Sequence, residues 1–153
     1  MTSPDPLKTS LNIFTDGGSR GNPGPAAAAF VIINSQNQVL KRGGLFLGQK
    51  TNNEAEYAGI LAALEALPSL SLETSLAQTQ LTFYSDSELI VNQVLGHYKI
   101  KAPGLKTLVL AVHQQIQALG LTPKFIAIPR ELNHQADALV NQILDQTLNP
   151  NTV

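Results

Sequence analysis

Residues 10–47 read SLNIFTDGGSRGNPGPAAAAFVIINSQNQVLKRGGLFL, and the topology turns on this segment. Leu11, Ile13 and Thr15 alternate with Asn12 and Phe14, the period-two pattern of a strand, and Asp16-Gly17-Gly18 reads as its end. From Gly17 to Pro25, four glycines and two prolines fall in nine residues, which predicts a structured loop. Ala26–Ile33 is apolar throughout and predicts a buried second strand. Asn34-Ser35-Gln36-Asn37 is short turn chemistry, so the third strand, Val39–Leu47, returns as a hairpin. A meander of three antiparallel strands therefore opens the domain.

Downstream the periodicity changes. Thr51 and Glu54 have the spacing of a capping box, and Ala- and Leu-rich sequence runs from there to Leu67, where Pro68 stops it. Leu81–Tyr84 predicts a strand, and a helix follows from Asp86 to about Leu95. Gly96–Gly104 is a loop carrying His97, Lys99 and Lys101. Leu105–Leu119 is an amphipathic helix ended by Gly120, Phe125–Ile128 a strand, and Asn133–Leu148 the last helix. Three meandering strands followed by strands alternating with helices predict an α/β domain with a five-stranded mixed sheet, antiparallel in one half and parallel in the other. The domain should span residues 10–148, between tails at 1–9 and 149–153. No internal repeat is present.

Composition bounds the function. A chain of 153 residues suits one domain with its own core. Cysteine is absent, which removes disulfides, thiolate metal sites and thiol nucleophiles. Ten basic against eleven acidic residues give a net charge of −1, so overall charge points to no nucleic-acid partner. The run Ala26–Ile33 is too short to span a bilayer, and MTSPDPLKTS lacks the apolar core of a signal peptide. A soluble, cytoplasmic monomer without membrane contact is the expectation.

The acids are few enough to weigh one by one. Asp5, Glu65, Glu73, Glu131 and Asp145 read as tail or surface residues. Asp16 ends a sheet strand, where open α/β sheets place ligands, although Asp-Gly is also plain turn chemistry. Glu54 and Glu56 lie two positions apart, roughly 200° around the helix axis, so they cannot share a target. The face of Glu54 continues through Ala58, Leu61 and Glu65, and Glu54 has a capping role. The face of Glu56 continues through Gly59, Ile60, Ala63 and Leu67, so this acid begins a buried stripe. Asp86 follows a strand and also suits an ordinary helix N-cap. Asp137 flanks the stripe of Leu132, Ala136, Leu139, Val140 and Ile143. No Lys or Arg neighbours these four acids in sequence. Carboxylates gathered without cations repel one another unless a divalent metal neutralises them, and hard oxygen ligands suit magnesium or manganese.

With these residues in view, FTDGGSRGNPGPA (14–26), TNNEAEYAGILAAL (51–64), YSDSELI (84–90) and PRELNHQADALVN (129–141) resemble, in order and spacing, the four signatures of the type 1 ribonuclease H family. The likeness runs from about Leu11 to Leu144. It implies a ribonuclease H-like fold with helices on both sheet faces. It implies that Asp16, Glu56, Asp86 and Asp137 are the catalytic, metal-binding acids, holding two Mg2+ ions (Mn2+ as a substitute) about 3.5–4 Å apart. One ion would activate water against an RNA phosphate and the other would stabilise the leaving 3′ oxygen. The implied products are a 5′-phosphate and a 3′-hydroxyl, and the implied substrate is an RNA–DNA hybrid.

The resemblance also implies substrate contacts. Asn22, Asn52 and Asn53 match positions at the minor groove, and Thr51 a position that holds a DNA-strand phosphate, with Ser87 a weaker candidate. Gly17, Gly18 and Ser19, in the turn through Gly21, would let backbone approach RNA 2′-hydroxyls closely. Three departures stand out. The auxiliary His that many members carry before the last acid is missing, and Arg130 is the chosen substitute over His134. The helix and Lys-rich loop that grip the DNA strand are missing too, leaving Lys99 and Lys101. Glu88 stands where an amide is common near the RNA strand. Two alternatives remain open: a broader ribonuclease that also cuts double-stranded RNA, and a catalytically weak nucleic-acid-binding module.

Overall fold

The computed structural model describes residues 9–149. Its elements are β1 (Ser10–Ser19), β2 (Gly24–Asn34), β3 (Val39–Lys50), α1 (Asn52–Ala66), β4 (Gln80–Ser85), α2 (Glu88–Val94), α3 (Pro103–Ala118), β5 (Lys124–Ala127) and α4 (His134–Leu148). Their order is the predicted one. The strands form one five-stranded sheet in the order β3-β2-β1-β4-β5. β1 pairs antiparallel with β2, and β2 with β3, while β4 runs parallel to both β1 and β5. Of the predicted tails, residues 1–8 and 150–153 lie outside the described residues. Thr9 is tied down: its carbonyl accepts from the Gln80 N–H, and its hydroxyl accepts from that of Thr74.

Two apolar layers cover the sheet. On one face Leu11, Ile13, Phe30 and Ile32 pack with Tyr57, Ile60 and Leu64 of α1, and with residues of α2 and α3. On the other face Ala27 and Ala29 meet Val140 and Leu144 of α4. Ala27 and Ala29 serve this second layer, because small side chains let α4 lie close to the sheet. No described helix is long and apolar enough to cross a membrane.

Three local expectations need correction. β1 does not end at Asp16. It continues to Ser19, because Asp16, Gly17, Gly18 and Ser19 pair with Ala29, Ala28, Ala27 and Ala26. The glycines there read as a loop, yet Gly17 serves close packing. A Cβ on Gly17 would sit 2.1 Å from the backbone of Ala55, and one on Gly59 would sit 2.7 Å from the Asp16 carbonyl. Helix α1 therefore rests directly on the backbone of β1. Second, Asp86 is not the N-cap of α2: Ser87 is, its hydroxyl accepting from the Ile90 N–H. Third, Leu132 is not part of the α4 stripe. It belongs to a 3-10 turn (Arg130–Leu132) ahead of the helix and is 62% exposed. The Thr51–Glu54 capping box forms as the spacing predicts, with both reciprocal bonds present.

The α1–β1 contact leaves no room for a methyl group. Gly17→Ala should destabilise the fold by about 3 kcal/mol or more, at or above the upper end of overpacking costs. Urea denaturation would read this directly. A loss below about 0.5 kcal/mol, the level of an ordinary surface substitution, would show that α1 can shift away freely.

Candidate active site

Parallel pairing between β1 and β4 ends at Phe14 and Tyr84. Just past that point the chain presents Asp16 on β1 and Asp86 behind β4, at the carboxyl ends of adjacent parallel strands. Such ends form the crevice where open α/β sheets hold ligands. Glu56 enters from α1, one turn after the capping box. Its helical phase turns it onto the sheet, as for Ile60 and Ala63, while Glu54 stays at the helix start, where its carboxylate accepts from the Thr51 N–H. Asp16, Glu56 and Asp86 each offer an oxygen such that all three lie within 4.8 Å of one another. Asp137, in the first turn of α4, lines the same cavity of about 490 Å³ but stands outside that close group.

The close group is an electrostatic problem. Asp16 is 2% exposed and Glu56 7%. Asp16 Oδ1 and Glu56 Oε2 are buried with no hydrogen-bond partner. Burial, and then the neighbouring charge of Asp86, push Asp16 up to about 7, although the Gly17 N–H partly offsets this. Burial and the charges of Asp16 and Asp86 hold Glu56 well above the usual carboxylate range. Only Arg130 works against that rise. The one ion pair among the described residues, Arg20–Asp145 at 2.6 Å, uses a different acid. Orphaned, buried carboxylate oxygens with little cationic compensation fit a hard divalent cation as the missing partner.

A family model described as reverse transcriptase-like matches residues 14–143. Ribonuclease HI of Halobacterium salinarum is 33% identical over 140 residues, covering 88% of this chain and 64% of that protein. The structure of LC11-RNase H1, isolated from compost by a metagenomic approach, superposes with a TM-score of 0.86 at 38% identity, covering 92% of this chain and 99% of that one. The chain belongs to the type 1 ribonuclease H family. The same LC11 protein has been solved in complex with an RNA/DNA hybrid, and that structure matches with a TM-score of 0.82 at 37% identity, over 91% of this chain and 99% of that one. The chain spans less than two thirds of its first curated relatives: 64% of the Halobacterium enzyme and 35% of the bifunctional protein Rv2228c of Mycobacterium tuberculosis, to which it is 37% identical over 137 residues.

Against this type 1 ribonuclease H frame, the remaining candidates divide. Gly17, Gly18, Ser19, Asn52, Asn53, Ser87 and Arg130 line the acidic cavity with the four acids. Gly17 and Gly18 lie within β1, so the structured loop expected from Gly17 to Pro25 is confined to residues 20–23. Asn22 and Thr51 border a neighbouring cavity, together with Asn53 and the start of α3. The asparagines interlock: Asn22 Oδ1 accepts from the Asn52 N–H at 3.0 Å, and Asn52 Oδ1 accepts from the Ser19 N–H at 2.9 Å. Their Nδ2 donors make no internal bond among the described residues. Ser87 Oγ is committed to its cap. Glu88, Lys99 and Lys101 are exposed and line neither cavity. His134 borders a separate cavity beside Asn12 and Phe14 and does not line the acidic one. Between α2 and α3 no further helix intervenes, consistent with the missing basic protrusion. Two features of the site escaped the sequence. Arg20 lines the site while paired to Asp145. Asn133 is buried against Asp86 and at a helix start resembles an ordinary cap.

The raised acid fixes the sign of a pH effect in the metal-free protein. Its folded-state value of about 7 lies above the ordinary 3.8, so between those values the folded state binds more protons than the unfolded one. Stability must then fall as pH rises through that window and stay lowered above it. The melting temperature in EDTA should be lower at pH 8 than at pH 5. Asp16→Asn should restore roughly 1–4 kcal/mol at pH 8, in line with a shift of a few pH units. A melting temperature that climbs across this window, with Asp16→Asn neutral or destabilising, would contradict the repulsive cluster.

Proposed function

We propose that this protein is a metal-dependent endoribonuclease that hydrolyses the RNA strand of RNA–DNA hybrids, leaving 5′-phosphate and 3′-hydroxyl ends. One observation carries the reading: carboxylates from β1, α1 and the end of β4 converge in one cavity, two of them buried and short of partners. The fourth acid, Asp137, lines the same cavity. The four would hold two magnesium ions, or manganese in their place. When bound, such ions supply Lewis-acid activation of water and stabilisation of the departing 3′ oxygen.

The chain's own residues do the rest. Asp16 and Glu56 sit rigidly between β1 and α1, so their oxygens are oriented before substrate arrives. Arg130, at the cavity rim, offers a guanidinium to a phosphate oxygen and assists product departure. The amide donors of Asn22, Asn52 and Asn53 suit the acceptors of a minor groove. The backbone of Gly17, Gly18 and Ser19 lies where RNA 2′-hydroxyls would be read. Thr51, with Ser87 as a weaker partner, would hold a DNA-strand phosphate. Lys99 and Lys101 would meet phosphates farther out, beside Glu88. Such contacts position a duplex without reading its bases. On this reading the protein acts as a monomer. The lack of cysteine suits the reducing cytoplasm.

A fluorescent RNA strand paired with DNA, and the same RNA paired with RNA, would test this in Mg2+. Cleavage of the hybrid, with the DNA strand intact, is the expected result. Equal cutting of both duplexes would favour the broader ribonuclease. Binding without cutting would leave a nucleic-acid-binding module. Within the enzyme, Glu56→Gln should lower the rate by at least about 10²-fold, as loss of a key electrostatic group does. Glu54→Gln should cost only about 0.5–2 kcal/mol of stability, as a cap change. The reverse pattern would overturn the assignment of these two acids.

A further inference from the structure

Asn133 connects three of the elements that carry the acids, and it does so by abandoning the role its position suggests. It is 1% exposed and stands at the N-cap of α4. An asparagine there ordinarily turns Oδ1 onto an N–H of the first helical turn. This side chain makes no cap bond. Its Nδ2 donates instead to the Thr15 carbonyl at 2.9 Å and to Asp86 Oδ2 at 3.1 Å. A carbonyl and a carboxylate only accept, so the amide must face them with its NH2 end. The buried Oδ1 is left without a partner. Meanwhile the Asn133 carbonyl accepts the N–H of Asp137 at 3.1 Å, at the start of α4.

One residue thus touches the backbone immediately before Asp16, the carboxylate of Asp86 and the backbone of Asp137. We propose that Asn133 is a positioning residue, which fixes Asp86 in rotation and locks β1 and α4 so that their acids face one cavity. The inference rests on the metal-dependent reading above. A carboxylate with one oxygen held by a donor presents the other in a set direction, and such outer partners govern metal affinity in other sites. A residue that only supported the fold would gain by capping α4 and would not leave a buried acceptor orphaned.

Asn133→Ser separates these roles. Serine is a good N-cap, so α4 keeps its start, but its single hydroxyl proton cannot serve both acceptors. Binding of Mn2+ to the full chain, followed by electron paramagnetic resonance, should weaken about 10- to 100-fold in the folded variant. On the hybrid, kcat should fall by a similar factor while KM stays within about twofold, because the substrate contacts lie elsewhere. Asn133→Ala should behave alike if it folds, and the Ser variant carries the test if it does not. Unchanged Mn2+ affinity in folded Asn133→Ser, or a change confined to KM, would overturn the proposal. A wild-type chain that binds no Mn2+ would instead overturn the metal-dependent reading beneath it.

Discussion

The direct seating of α1 on the backbone of β1 is the constraint on which the site depends. Gly17 and Gly59 remove the two Cβ atoms that would hold the layers apart. With them gone, a helix that begins at the Thr51 cap delivers Glu56 onto the strand that carries Asp16. The parallel half of the sheet brings the end of β4, and with it Asp86, to the same place. Asp16 and Glu56 are held by a strand and a helix whose positions the apolar core sets, and Asp86 follows directly on the end of β4.

That arrangement works against the stability of the metal-free chain. Two carboxylates are removed from water, and a third adds its charge. Such tension is typical of sites whose geometry serves a ligand rather than the fold. A divalent cation would turn the same repulsion into affinity, since each unsatisfied oxygen is already oriented. Asn133 and the Ser87 cap contribute at the far side, where Asp86 would otherwise be a free rotor at a strand end. The Arg20–Asp145 pair ties the β1–β2 turn to α4.

Much of this was legible in the residues. Helical phase alone separates Glu56 from Glu54, and the order of strand and helix patterns yields the mixed sheet. Other features were hidden for physical reasons. Gly17 and Gly18 look like a turn because glycine is a poor strand former, yet both lie in β1, and the helix above the strand demands glycine at position 17. Asp86 and Ser87 are both good caps, and only the fold shows that Ser87 takes the role. Asn133 at a helix start reads as a cap, and its turn toward Asp86 is a tertiary fact. His134 lies one turn before Asp137 in sequence, but the start of α4 faces it toward Asn12 and Phe14 instead.

On the proposed function, the buried acids form a cation site that carries bound protons when empty. Calorimetric titration of the protein with Mg2+ at pH 6.5, in two buffers of different ionisation enthalpy, counts the protons released on binding. Since ligands must be deprotonated to bind a metal, the expected result is a net release at pH 6.5 that shrinks as the pH rises past about 7, where Asp16 loses its proton. Saturable binding with no proton release at the lower pH would contradict it.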